Sequence, residues 1–173
     1  MVDRLVRRLS FLPPVGEWLN QILAKLGAKG GQRTGQVKDL LNGTWLGHAL
    51  HPAVTDLPIG AWTGSTLLDL ARGGSADGLG RGADLLPATG CAGALGAVAI
   101  GLADWQDKYG QERDLGSAHA LINSGALMLF TPLSGPGGGA PRGWAVGISL
   151  LGLGTAYAGA YAAATWSSAR GSR

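Results

Sequence analysis

Four apolar stretches follow one another between residues 51 and 166, each close to the length at which a helix crosses a bilayer. At a rise of about 1.5 Å per residue, roughly 20 residues cover the hydrocarbon core. The first stretch runs from about His51 to Leu70, interrupted by Asp56 and closed by Asp69. The second, Leu85 to Ala103, carries no charge, and the third, Ser117 to Leu133, has only His119 as a possible charge. The fourth, Trp144 to Trp166, is uncharged and flanked by tryptophan at both ends. Buried helices of a soluble bundle would need polar faces, and the second and fourth stretches have none. The expected fold is therefore all-α, a four-helix transmembrane bundle preceded by N-terminal amphipathic helices.

The mean hydropathy of +0.16 understates this character, because 31 glycines dilute the scale and the charges are unevenly placed. Only 14% of residues are charged, against about 25% in soluble domains. A single cysteine, Cys91, excludes an internal disulfide and a thiolate-rich metal or iron–sulfur site. In the Gly/Ala run around it, Cys91 reads as a small packing residue. The net charge of +3 comes from the N-terminal segment and the chain ends, a membrane-surface pattern rather than a nucleic-acid patch. Arg4, Arg7 and Arg8 resemble the start of a signal peptide, but no uninterrupted apolar run follows before Pro13-Pro14. No Gly-rich phosphate loop and no nucleophile–base pairing is present.

Ahead of the spans, Val2, Leu5, Val6 and Leu9 recur at helical spacing among the arginines. After the prolines a second stripe runs through Val15, Trp18, Leu19, Ile22, Leu23 and Leu26. Basic amphipathic helices of this kind settle in the headgroup layer, so surface-lying helices are expected over Val2–Leu9 and Val15–Leu26. Gly27 to Gln36 reads as a flexible linker, and Val37, Leu40 and Leu41 as a short helix ending near Asn42-Gly43. Residues 1–46 are thus an interfacial arm, 47–166 the membrane domain and 167–173 a cytoplasmic tail.

Small residues recur every fourth position within the spans: Gly60 and Gly64; Gly93, Ala97 and Gly101; Gly152, Ala156, Ala160 and Ala164. Such rows let helix backbones approach closely in lipid, where packing replaces the missing hydrophobic drive. Four spans put both termini and the Gln106–Gly116 loop on one side. That side holds seven Lys/Arg ahead of the first span plus Lys108, Arg113, Arg170 and Arg173, while the other holds Arg72, Arg81 and Arg142. The positive-inside rule makes the richer side cytoplasmic.

The histidines are the candidate functional residues. His48 and His51 lie at the cytoplasmic entrance of the first span, His119 at that of the third, and Asp104 closes the second span on the same side. Asp56 sits about one turn inside the first span, and Asn123 one turn beyond His119 on the same helix face. Ionisable groups at membrane depth are costly and usually face the bundle interior, where they pair. Such a set can hold a metal such as zinc or non-haem iron, with His51 and His119 as ligands, or clasp a haem iron axially between facing helices. It can equally do no more than hydrogen-bond helix ends to one another.

The run Leu40-Leu41-Asn42-Gly43-Thr44-Trp45-Leu46-Gly47-His48-Ala49-Leu50-His51-Pro52, followed by Asp56-Leu57-Pro58-Ile59-Gly60-Ala61-Trp62, resembles the four-span DUF2231 membrane proteins of bacteria, especially their actinobacterial branch. Gly101-Leu102-Ala103-Asp104-Trp105 and His119-Ala120-Leu121-Ile122-Asn123 match that family's second landmark. The resemblance covers roughly residues 37 to 166. It implies His48, His51, Asp56, Asp104, His119 and Asn123 as the family positions. Relatives fused to a Rieske iron–sulfur domain or neighbouring cytochromes imply redox work, which favours haem b over zinc. The sequence departs from the family at Ala49, where a proline is usual, and at Gly159-Ala160-Tyr161, where relatives carry a histidine. An iron–sulfur partner is accordingly expected as a separate protein at the cytoplasmic face.

Three functions follow as expectations. One is a haem-binding, electron-transfer component working with a cytoplasmic-side partner. Another is a cofactor-free accessory or scaffold subunit of a larger membrane complex. The third, a metal-dependent enzyme, has no substrate pocket legible in the sequence. The topology is open to test by cysteine labelling in intact cells. Cysteines at Ser75 and Gly138 should react with an impermeant thiol reagent, and one at Gln111 should not; the reverse pattern would invert the orientation.

Overall fold

The computed structural model describes residues 12–71, 79–133 and 142–171. Among them the chain is helical with no strand: α1 (Leu12–Gly30), α2 (Gln32–Asn42), α3 (Leu50–Ala71), α4 (Leu79–Trp105), α5 (Gln111–Phe130) and α6 (Arg142–Gly171). Single 3-10 turns, Thr44–Leu46 and Thr131–Leu133, follow α2 and α5. The helix expected over Val2–Leu9 lies outside the described residues.

The expected linker Gly27–Gln36 contracts to one residue. Gly31, at φ 54°, breaks the helix in a conformation that costs a glycine little, and α1 and α2 run up to it from either side. Pro13 and Pro14 fall inside the first turn of α1, where a missing N–H costs nothing, so the helix starts before them rather than after. At the far end of α2 the chain stops as its Asn-Gly pair dictates. Gly43 adopts the left-handed conformation and donates its N–H to the α2 carbonyls of Asp39 and Leu40. Thr44 Oγ1 donates to Asp39 O at 2.9 Å and the Trp45 indole N–H to Leu40 O at 3.2 Å, so the last carbonyls are satisfied by the next turn.

Helices α3 to α6 form the bundle, with α3 packed most closely on α4 and α5 on α6; α3–α6 and α4–α5 contacts close the ring. Within each pair the joints are glycines. A Cβ at Gly101 would lie 2.7 Å from the His51 ring, and one at Gly90 would run into the Trp62 indole. Gly93 meets Leu57 and Pro58, and Gly82 meets Leu68, so the α4 glycines form an antiparallel seam against α3. On α6, a Cβ at Gly152 would lie 2.6 Å from the Phe130 ring, and Gly159 backs onto Asn123. Of the expected small-residue rows, Gly93/Ala97/Gly101 and Gly152/Ala156 are thus buried seams, whereas Gly60 faces open space.

The core lies in the half of the bundle away from the histidines. Trp62 and Phe130 stack at 4.6 Å with ring planes 3° apart, joined by Ala94, Ala126, Leu133 and Ala156, with Cys91 packed against them. Around this core the surface is apolar: Leu57, Leu67, Leu70, Leu85, Leu95, Met128, Leu150 and Leu151 are each at least half exposed. Among the described residues Gly82–Trp105 is the helix long and apolar enough to cross a membrane, with a mean hydropathy of 1.8, and Val146–Tyr161 is a shorter apolar run. The other two long helices are diluted by polar groups at one end: α3 by His51 and Asp56, α5 by its first turn of Glu112, Arg113 and Asp114.

The seam predicts an asymmetric response to added methyl groups. Overpacking a close joint costs about 1–3 kcal/mol, so Gly90→Ala should lower the unfolding temperature of the detergent-solubilised protein. Gly96→Ala, on an open face of the same helix, should not.

Candidate histidine site

Two imidazoles meet where the two helix pairs face each other. The ring centroids of His51, in the first turn of α3, and His119, near the start of α5, are 6.0 Å apart with planes at 77°. Each ring is anchored to the other helix of its own pair. His51 Nδ1 lies 3.0 Å from Ala97 O of α4, and His119 Nδ1 lies 3.1 Å from Gly159 O of α6. Carbonyl oxygens only accept, so in a neutral ring bonded this way Nδ1 carries the proton and Nε2 keeps its lone pair. A helix-interior carbonyl is reachable by a side chain only where the neighbouring helix face is bare. Gly101 provides this beside His51, whose ring occupies the volume a Cβ would take.

Asn123, one turn beyond His119, completes the arrangement. Its Nδ2 donates to the His119 carbonyl at 2.9 Å and lies 3.3 Å from both ring nitrogens, while Gly159 leaves room for the amide. Asp104, at the end of α4, bridges to Lys108 at 3.2 Å and is near enough for its charge to act on His51. The remaining sequence candidates lie apart. His48 is exposed, with Nδ1 at 3.2 Å from the neighbouring Ala49 carbonyl, and Asp56 is exposed on α3. Of the six residues, the structure therefore gathers His51, His119 and Asn123, with Asp104 at the edge. Among the described residues no three His, Cys, Asp or Glu side chains come together to share a metal ion.

Sequence reasoning missed the groups that hold the rings, since two are backbone carbonyls and two are glycines. It also missed how the helix ends behind the pair are tied. Trp105, buried at the end of α4, donates its indole N–H to Arg113 O at 3.2 Å, with Gly116 of α5 against its ring. Arg113 lies over both Trp105 and Tyr109, at 5.6 and 5.2 Å from the ring centroids, and donates from Nε to Lys108 O at 2.9 Å. The arm closes on this corner. Gly16 of α1 packs against Ser117, Trp105 and Arg113, and Lys38 of α2 forms an ion pair with Asp107 at 2.5 Å.

The chain is thus an all-α bundle with an apolar outer surface and a paired-imidazole site at one end. The family comparison specifies it further. Residues 47–170 match the model of the predicted membrane proteins DUF2231, and the chain belongs to that family. No curated protein and no solved structure matches it.

Burial separates the histidines chemically. Diethylpyrocarbonate should modify the exposed His48 rapidly and the half-buried His51 and His119 slowly. His48→Gln should remove the fast phase of the absorbance change at about 240 nm and leave the slow one; three equally reactive rings would contradict the anchored geometry.

Proposed function

We propose that the chain is a four-span membrane protein with both termini cytoplasmic, and that His51 and His119 are the axial ligands of a b-type haem in an electron-transfer component. The observation that carries this reading is the matched anchoring of the two rings. Metal-ligating histidines nearly always donate the other ring N–H to a carbonyl, carboxylate or water, which fixes the tautomer and raises ligand basicity. His51 and His119 both do so, through Nδ1, to carbonyls of different helices. The two rings also lie close together, with centroids 6.0 Å apart and on facing helix pairs.

The donor set also fits iron in a macrocycle better than a bare ion. A haem carries its own four nitrogens, so His51 and His119 would be enough to hold it and no third protein ligand would be required. When bound, the haem supplies one-electron transfer. The protein's part is to hold the two Nε2 atoms, to orient His119 through Asn123, and to place the acidic Asp104 near His51. A Rieske or other redox protein meeting the cytoplasmic face is the partner this reading calls for. The exposed Lys25 and Lys29 of α1 offer basic charge for it.

A second reading, the cofactor-free accessory subunit, draws on a different observation. The Asn123 amide lies within 3.3 Å of His119 Nε2, so that ring can be satisfied without any ligand. The two readings separate on one measurement. Protein purified from cells with ample haem should show sharp low-spin bands on reduction with dithionite, and His119→Ala should abolish them or convert the iron to high spin. A colourless protein leaves the accessory subunit.

A further inference from the structure

Where α1 and α2 fold back on the bundle they leave a groove of about 220 Å³ against the end of α4. Leu23, Val37 and Leu41 of the arm and Ala99 and Leu102 of α4 make it apolar, and Lys38 stands in its wall. We propose that this groove binds one anionic phospholipid, with an acyl chain along the apolar lining and the phosphate at Lys38.

Three features point to that occupant. The first is depth. Ala99 and Leu102 belong to the last two turns of the helix apolar enough to cross a membrane, so the groove opens where hydrocarbon gives way to headgroups. The second is charge. Between Glu17 and Asp39 the arm carries Lys25, Lys29, Arg33 and Lys38 and no acid, with Lys25, Lys29 and Arg33 exposed beside the groove-lining Gly27 and Thr34. Basic residues at this level attract anionic headgroups. Lys38 is positioned by its ion pair with Asp107 and has further ammonium protons to give a phosphate. The third is the lining. An apolar wall with one ammonium standing in it matches a molecule that joins hydrocarbon to a phosphate, of which the groove holds a segment of one chain.

Such a lipid would be a structural part of the joint between arm and bundle, filling an apolar gap that water wets poorly. The proposal rests on α4 being a span and is independent of haem. The experiment is native mass spectrometry of the full chain, released from its membranes by mild detergent and exchanged against phosphatidylglycerol or phosphatidylcholine. One phosphatidylglycerol should be retained preferentially. Ala99→Phe, at an exposed position that fills the groove, should remove it, and Leu151→Phe, exposed on α6, should not. Lys38→Gln should lower the preference about fivefold, the equivalent of about 1 kcal/mol. Equal retention of both lipids, retention unaffected by Ala99→Phe, or a neutral lipid or quinone recovered from the groove would each overturn the proposal. Release of the protein from membranes by carbonate alone would instead refute the span on which it rests.

Discussion

Bare backbone is the resource on which this fold depends. Between helices in lipid there is little hydrophobic gain from burying one apolar side chain against another, so close packing and hydrogen bonds must do the joining. Glycines on α4 and α6 open notches into which the rings of α3 and α5 fit: Trp62 at Gly90, His51 at Gly101 and Phe130 at Gly152. At the histidine end the same bareness has a chemical use, since it exposes a helix carbonyl to the flanking imidazole. The device that packs the bundle is thus also the one that fixes the tautomers of the candidate site.

The polar contacts divide by depth. Away from the histidines, the Trp62–Phe130 stack and its alanines make an apolar core, and among the described residues the Trp62 N–H and the buried Ser149 hydroxyl have no hydrogen-bond partner. At the histidine end, carbonyls, an amide, a carboxylate and a guanidinium knit four helices and the arm. The His51–His119 pair straddles the boundary between the two tightly packed helix pairs.

Much of this was legible in the sequence because it rests on periodicity and composition. The long helices, the stop at Asn42-Gly43 and the shared depth of His51 and His119 all follow from run lengths and helical spacing. The linker misled because Gly27 and Gly30 are tolerated inside α1 and only Gly31 takes a positive φ. His48 and Asp56 were expected near the pair on depth alone; His48 precedes α3, and Asp56, five residues on from His51, is about 140° round a helix of 3.6 residues per turn and lies on its exposed face. The ring anchors were illegible for a stricter reason. A carbonyl belongs to every residue, and nothing in the letters Ala97 or Gly159 says that an imidazole from another helix will find it. Arg113 was counted only as a cytoplasmic charge, although its stacking on Trp105 and Tyr109 makes it part of the corner that holds α5.

The way the arm closes on the bundle sets an order of events during synthesis. Gly16 packs against Ser117 and Lys38 against Asp107, so each arm helix meets a partner made much later in the chain. At roughly 5–20 residues per second, the ribosome needs on the order of ten seconds to deliver that partner. Throughout that interval the arm is without its final contacts, with Val15, Trp18 and Leu40 exposed even in the finished fold. A membrane surface is the one apolar companion present from the beginning. Adsorption there would shield the stripe until Ser117 and Asp107 arrive. The amphipathic character of α1 would then serve assembly as well as the assembled state.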